Sequence, residues 1–163
     1  MNGNRKENIK AVPDGYDSVT PYLVVRGAAK AIVFYEKAFG AVERLRLPAP
    51  GGGIGHAELK IGNSIIMLAD EFPDMGARGP RTIGGSPVSL LIYVENVDDV
   101  FTGALAAGAR ELRPLENKFY GDRAGQLEDP FGHIWTLASH IEDVTAEQLQ
   151  QRMEETFSSI VPT

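Results

Sequence analysis

Cysteine is absent from this 163-residue chain. That excludes disulfides, thiolate nucleophiles and Cys-ligated metal centres. Long apolar runs are missing as well. Stretches such as Ser64–Ala69 and Val88–Val94 fall far short of the roughly 20 residues that a bilayer-spanning helix needs, so no membrane partner is expected. The segment Met1–Gly15 is polar and basic with no apolar stretch behind it, which argues against a secretory leader and for a cytoplasmic protein. Nor is there a surplus of positive charge. Sixteen Lys and Arg face 22 Asp and Glu, for a net charge of -6, and Arg78 and Arg81 alone make no basic patch, so nucleic acid is not an expected partner. Gly51-Gly-Gly-Ile-Gly55 lacks the Lys-Ser/Thr of a phosphate loop, and Gly84-Gly-Ser86-Pro lacks the second glycine of a nucleophile elbow.

What is present is ordinary globular composition, 43% hydrophobic and 23% charged. Residues 1–17 show no periodicity and read as a mobile or partner-docked arm. Val19–Val25 is a β-rich run, and Ala28, Ala31, Ile32, Tyr35, Ala38 and Phe39 then recur at helical spacing, with Gly40 placed as a C-cap. Val42–Leu47 is a strand, Pro48–Gly53 a loop, and His56–Ala69 a hairpin about the turn Gly62-Asn63. After a patternless connector, Glu71–Ser86, the order repeats. Val88–Val94 is a strand, Val97, Val100, Phe101, Ala104, Leu105 and Gly108 form a one-faced helix, and Arg110–Pro114 is a short strand. Asn117–Arg123 is a loop, and Ala124–Glu128 and His133–Ser139 flank the turn Asp129-Pro-Phe-Gly132. Thr145 and Gln148 form a capping box ahead of the stripe Ala146, Leu149, Met153, Phe157 and Ile160. That stripe needs cover from the domain or from a second subunit.

Lys30–Ala41 superimposes on Asp98–Ala109 without a gap, and Gly62–Ala69 on Phe131–Ala138. The expected fold class is therefore α+β: two strand–helix–three-strand units forming a curved mixed sheet around a cavity, plus a C-terminal helix. Residues 1–163 make one domain, with unit one over 18–70, the connector over 71–86, unit two over 87–140 and the last helix over 144–158. A cavity shared by two such units is a natural small-molecule site.

Thr20-Pro-Tyr-Leu-Val-Val25 followed by Ala31-Ile-Val-Phe-Tyr-Glu-Lys-Ala-Phe-Gly40 resembles the opening of a glyoxalase-type unit, and Glu128-Asp-Pro-Phe-Gly-His-Ile-Trp135 its closing hairpin. His56-Ala-Glu-Leu-Lys-Ile-Gly62 and Tyr120-Gly-Asp-Arg123 resemble the PhnB-like branch of the glyoxalase/bleomycin resistance/dioxygenase (vicinal oxygen chelate) superfamily. The resemblance runs from Val19 to His140 and specifies fold better than reaction. It implies a divalent metal held by His, Glu or Gln on the first and last strand of each unit. Thr20, Met67, Ser89 and Thr136 align with those positions, and none suits a hard or borderline ion. The expectation is therefore no metal and no other cofactor.

Pairing about Gly62-Asn63 puts Ala57, Leu59, Ile66 and Leu68 on an apolar face and His56, Glu58, Lys60, Ile65 and Met67 on a mixed one. Three readings of His56 and Glu58 stay open: a metal at a shifted position, a polar pair recognising a ligand, or solvated strand positions. In the second unit Arg123 offers an anion clamp and Tyr120 a stacking or hydrogen-bonding group, against a plain turn with Arg123 ion-paired to Asp122 or Glu128. Trp135 should pack on the helix, His133 should be a turn residue and His140 a surface one. The expected ligand-binding residues are His56, Glu58, Met67, Tyr120, Arg123 and Thr136. They serve a homodimeric, metal-free binder of a small organic ligand, as bleomycin-resistance-type proteins are. The other class is an enzyme: a metal-dependent isomerase, lyase or dioxygenase using His56 and Glu58, or a metal-free acid/base catalyst.

Overall fold

A computed structural model describes residues 9–158. The first unit comprises β1 (Tyr22–Val25), α1 (Ala28–Phe39), β2 (Val42–Pro48), β3 (Ile54–Ile61) and β4 (Ser64–Asp70). A 3-10 turn at Pro73–Met75 and α2 (Pro80–Ile83) occupy the stretch that looks patternless in sequence. The second unit comprises β5 (Ser89–Tyr93), α3 (Val97–Ala106), β6 (Arg110–Asn117), β7 (Asp122–Glu128) and β8 (Ile134–His140), and α4 (Ala146–Ser158) follows. The strands form two four-stranded mixed sheets, ordered β1-β4-β3-β2 and β5-β8-β7-β6, with β1 parallel to β4 and β5 parallel to β8. The α+β repeat is thus observed. β6 runs beyond the expected Pro114 to Asn117, and α3 stops at Ala106. Gly108 lies outside the helix at φ 115°, in the left-handed region that ends a helix cheaply only at glycine.

The hairpin register is the one its turn dictates. Ala57 faces Leu68, Glu58 faces Met67 and Leu59 faces Ile66. Ala57, Leu59, Ile66 and Leu68 are buried against α1, while His56, Glu58 and Met67 on the opposite face are half-buried. Gly27 gives α1 no side-chain cap. The carboxylate of Asp70, at the end of β4, replaces it by accepting the Gly27 and Ala28 N–H groups at 2.9 and 2.8 Å. In the second unit Asn96 caps α3 locally by accepting the Asp99 N–H.

One hydrophobic core serves both units. It holds Leu23, Leu59 and Leu68 of the first sheet, Leu127, Trp135 and Leu137 of the second, and the inner faces of α1 and α3, which touch each other. Tyr35 and Phe39 of α1 lie 5.4 and 4.9 Å, ring centre to ring centre, from Trp135 of β8. Both sheets therefore turn one face to the shared helical layer and leave the other face outward, where Val42, Leu47, Leu91 and Tyr93 stand exposed. Contact between the two units runs chiefly through α1 and α3.

The capping box at the start of α4 forms in both directions: the Thr145 N–H donates to Gln148 and the Gln148 N–H donates to Thr145 Oγ1. Arg152 fastens this helix by pairing with Glu142 and donating to the Phe119 carbonyl. No described residue of α4 is buried, and Leu149, Met153 and Phe157 remain open. Ile160, the last position of the stripe, lies outside the described residues, as does 1–8 of the N-terminal arm.

Candidate functional site

Cross-strand rows set the chemistry of each free face. In the first sheet one row reads Tyr22, Met67, Glu58, Leu45; in the second it reads Leu91, Thr136, Gln126, Arg113. The residues opposite Met67 and Thr136 are thus Tyr22 and Leu91, two positions along from the Thr20 and Ser89 that the family pattern suggests. The superfamily's divalent metal would need several His or carboxylate donors here. Among the described residues no three His, Asp or Glu side chains are placed to hold an ion. A phenol, a thioether, an amide, a hydroxyl and one carboxylate do not fit such a centre.

His56 and Glu58, two apart on β3, do converge. His56 Nε2 lies 3.3 Å from Glu58 Oε1, and the Tyr22 hydroxyl lies 3.0 Å from His56 Nδ1. A neutral imidazole protonated on Nε2 satisfies both contacts: it donates to Glu58 and accepts from Tyr22. The other oxygen of Glu58 accepts the hydroxyl of Tyr16, from the N-terminal arm, and the Arg44 guanidinium sits 5.6 Å from the centre of the Tyr16 ring. The Tyr16 hydrogen bond, opposed by burial and helped by His56, holds the Glu58 carboxyl below its usual range. The same bond pushes the Tyr16 phenol up. Glu58 is therefore an ionised acceptor, and its side chain is only 12% exposed. Tyr16 falls in the stretch whose sequence reads as a mobile or partner-docked arm, and neither its spacing nor its neighbours signal the contact across 42 residues.

The expected second-unit residues separate. Thr136 and Tyr120 line a small recess of about 100 Å³ together with Gln126 and Lys118. Arg123 does not join them. It points to the α3 side of its sheet and forms an ion pair with Asp98 at 2.6 Å, because β7 alternates and Arg123 falls on the parity of Gly125 and Leu127. Its partner is neither Asp122 nor Glu128. A larger recess of about 590 Å³, bounded by Phe39, Ile65, Ile92 and Trp135, opens at the seam between the units and contains none of the expected ligand-binding residues. The polar chemistry, rather than the volume, marks the first free face as the candidate site.

A second polar cluster ends β8. Asp122, 4% exposed, accepts from Tyr93 at 2.8 Å and pairs with His140 Nδ1 at 2.8 Å, while His140 Nε2 meets Asp143 at 2.9 Å. The bond to Asp143, then the bond to Asp122, raise the His140 pKa. Stabilisation from this clasp is complete below the unfolded value of about 6.5 and fades as pH rises through the raised folded value. Thermal unfolding followed from about pH 6 upward should show a decline in Tm that His140→Gln lacks. Parallel profiles for the two proteins would remove His140 from this role. His133 is tied as well, its Nε2 lying 3.1 Å from the Val24 carbonyl on the edge of β1.

Known proteins share this fold. The sequence profile of the Glyoxalase/Bleomycin resistance protein/Dioxygenase superfamily matches residues 15–137. An uncharacterized protein of Mycobacterium tuberculosis is 43% identical over 139 residues, covering 83% of this chain and 82% of its own. The crystal structure of TioX from Micromonospora sp. ML1 superimposes with a TM-score of 0.60 at 29% identity, covering 77% of this chain and 99% of that one. A PhnB protein from Bacillus cereus shares the fold at 23% identity with a TM-score of 0.58, covering 76% and 99%. The repeated units, their strand order and the matched span together place this chain in the glyoxalase/bleomycin resistance protein/dioxygenase superfamily, to which it belongs.

Proposed function

We propose that this protein is a homodimeric binder of a small organic ligand, that it works without the superfamily's usual metal, and that the outward face of the first sheet is its principal recognition surface. Glu58 carries this reading. It is an ionised carboxylate, bonded by Tyr16 and His56, set among Met67, Leu45 and Tyr22, the pattern of a few convergent polar groups in an apolar wall that marks small-ligand sites. His56 extends the polar line and Met67 supplies a soft, adaptable wall. Tyr120 and Thr136 would contribute from the second sheet. A second copy would bring Tyr120 and Thr136 opposite His56 and Glu58 in one enclosed cavity. The open apolar side chains on both sheets and on α4 favour the same assembly. The superfamily includes small-ligand binders and dimers.

The test uses purified protein with three readouts. Light scattering at micromolar concentration should give a dimer; a monomer counts against the assembly. Metal analysis should give no stoichiometric metal, whereas bound metal lost in Glu58→Ala or His56→Ala would overturn the metal-free reading. Amide chemical-shift mapping with a set of small aromatic compounds should find ligands of the β3–β4 face. For these, Glu58→Gln should weaken affinity about tenfold or more, the worth of one hydrogen bond to a charged acceptor. Ligands that ignore Glu58→Gln would move the site elsewhere.

A further inference from the structure

The described part of the N-terminal arm, residues 9–17, has no helix or strand and is exposed apart from Tyr16. Within the arm, the Tyr16 N–H closes a turn on the Pro13 carbonyl, and Gly15 at φ 84° sets its direction. Beyond the arm, among the described residues, the Tyr16 side chain has two partners, and both belong to the candidate site: its hydroxyl donates to Glu58, and its ring lies under the Arg44 guanidinium. Tyr16 contributes nothing to the hydrophobic core. Carboxylate against hydroxyl and guanidinium against ring together recognise a phenol by both of its features. The chain supplies that phenol itself, on a segment without helix or strand.

We propose that Tyr16 is a built-in occupant of the site, and that the ligand of this face is itself a phenol, a hydroxyl-bearing aromatic that displaces Tyr16 and takes over the bond to Glu58. The assignment rests on the reading of this face as the ligand site. The ionised Glu58 disfavours anionic ligands there and favours a neutral donor, which a phenol near pH 7 is. The tether keeps Tyr16 at a local concentration on the order of millimolar, so it competes with an incoming phenol and hides the affinity of the site. Next to Glu58, His56 and Tyr22 offer a second polar contact for a ring substituent.

The probe is p-cresol, titrated into the full-length protein and followed by amide chemical shifts. Tyr16→Ala should bind it about tenfold or more tightly than the wild type, and Tyr16→Phe should fall between them, since it keeps the ring and loses the donor. Adding Glu58→Gln to Tyr16→Ala should cancel the gain. Circular dichroism and a Tm close to wild type establish that the variants are folded. The proposal falls if Tyr16→Ala binds p-cresol no better than the wild type, if the gain survives Glu58→Gln, or if p-methylanisole binds Tyr16→Ala as well as p-cresol does. Should a non-phenolic compound bind this face in a Glu58-dependent way while p-cresol does not, the phenol assignment falls and the ligand-binding reading stands. Should no compound bind this face in either protein, both fall.

Discussion

Asp129→Ala is expected to destabilise the protein by about 4 kcal/mol or more, because it strips the acceptor from four donors in the buried centre of the molecule. Asp129 is 1% exposed. Its Oδ1 accepts the Phe131 and His133 N–H groups at 2.9 and 3.0 Å, which shapes the β7–β8 turn. Its Oδ2 accepts the Tyr35 hydroxyl at 2.7 Å and the Trp135 indole N–H at 2.9 Å. Tyr35 belongs to the first unit and Trp135 to the second, so this carboxylate is a polar joint at the seam of an otherwise apolar core. Burial, reinforced by Asp129, pushes the Tyr35 phenol well above its ordinary range and keeps it a donor. Asp129→Asn should also be damaging, because the amide can aim its oxygen at one pair of donors only and must set N–H against the other. Tyr35→Phe removes a single donor and should cost nearer 1 kcal/mol. Urea unfolding measures all three, and Trp135, the sole tryptophan, reports the transition by fluorescence. Wild-type stability in Asp129→Ala would show that the joint is dispensable.

Asp129 also marks what the sequence could and could not convey. The run Asp129-Pro-Phe-Gly132 is legible as a turn, and its neighbours are legible as strands by alternation. Nothing in the spacing tells that the turn's carboxylate reaches a tyrosine 94 residues away. Asp70 repeats the lesson. The cap of α1 is invisible to a search for a local Ser, Thr, Asp or Asn, because Gly27 stands at the cap position and the acceptor comes from the end of β4. The capping box Thr145–Gln148 and the cap at Asn96 are local, and the first was legible for that reason.

The candidate site divides along the same line. Alternation about Gly62-Asn63 places His56, Glu58 and Met67 on one face because a two-residue turn fixes every pair behind it. In β7 and β8 the turn is longer and the flanking sequence less patterned. Arg123 looked like a site residue from its motif, while its parity along β7 sends it to α3. The partners that give Glu58 its character, Tyr16 and Arg44, come from an arm without periodicity and from a register shift in β2 between Glu43 and Leu45. Irregular backbone carries no period to read, and Tyr16 and Arg44 both stand on such backbone.

Gly121→Ala is the second substitution for which a large loss is expected, and it tests how the C-terminal segment is held. Gly121 lies at φ 96°, where any other residue is strained by about 1–2 kcal/mol. A Cβ added there would also stand 2.1 Å from the Glu142 carbonyl oxygen and 2.9 Å from Val144, so segment 141–145 would have to move. That segment is anchored on the same residue, since the Ile141 and Glu142 N–H groups both donate to the Gly121 carbonyl, at 2.9 and 3.0 Å. Glu142 in turn holds Arg152 of α4. Strain, clash and lost hydrogen bonds together predict a cost of about 2–4 kcal/mol. Hydrogen exchange should report it as lost protection at Ile141, Glu142 and the first turns of α4, with the β3–β4 hairpin unaffected. Gly108→Ala is the matched control: φ 115° imposes a similar backbone strain, but its Cβ would meet nothing closer than Pro130 at 3.6 Å. If the two variants lose equal stability, strain alone is at work and the contact with Glu142 yields freely. If Gly121→Ala loses more, and loses it in segment 141–145, the β6–β7 turn is the seat that positions α4 and its open apolar face.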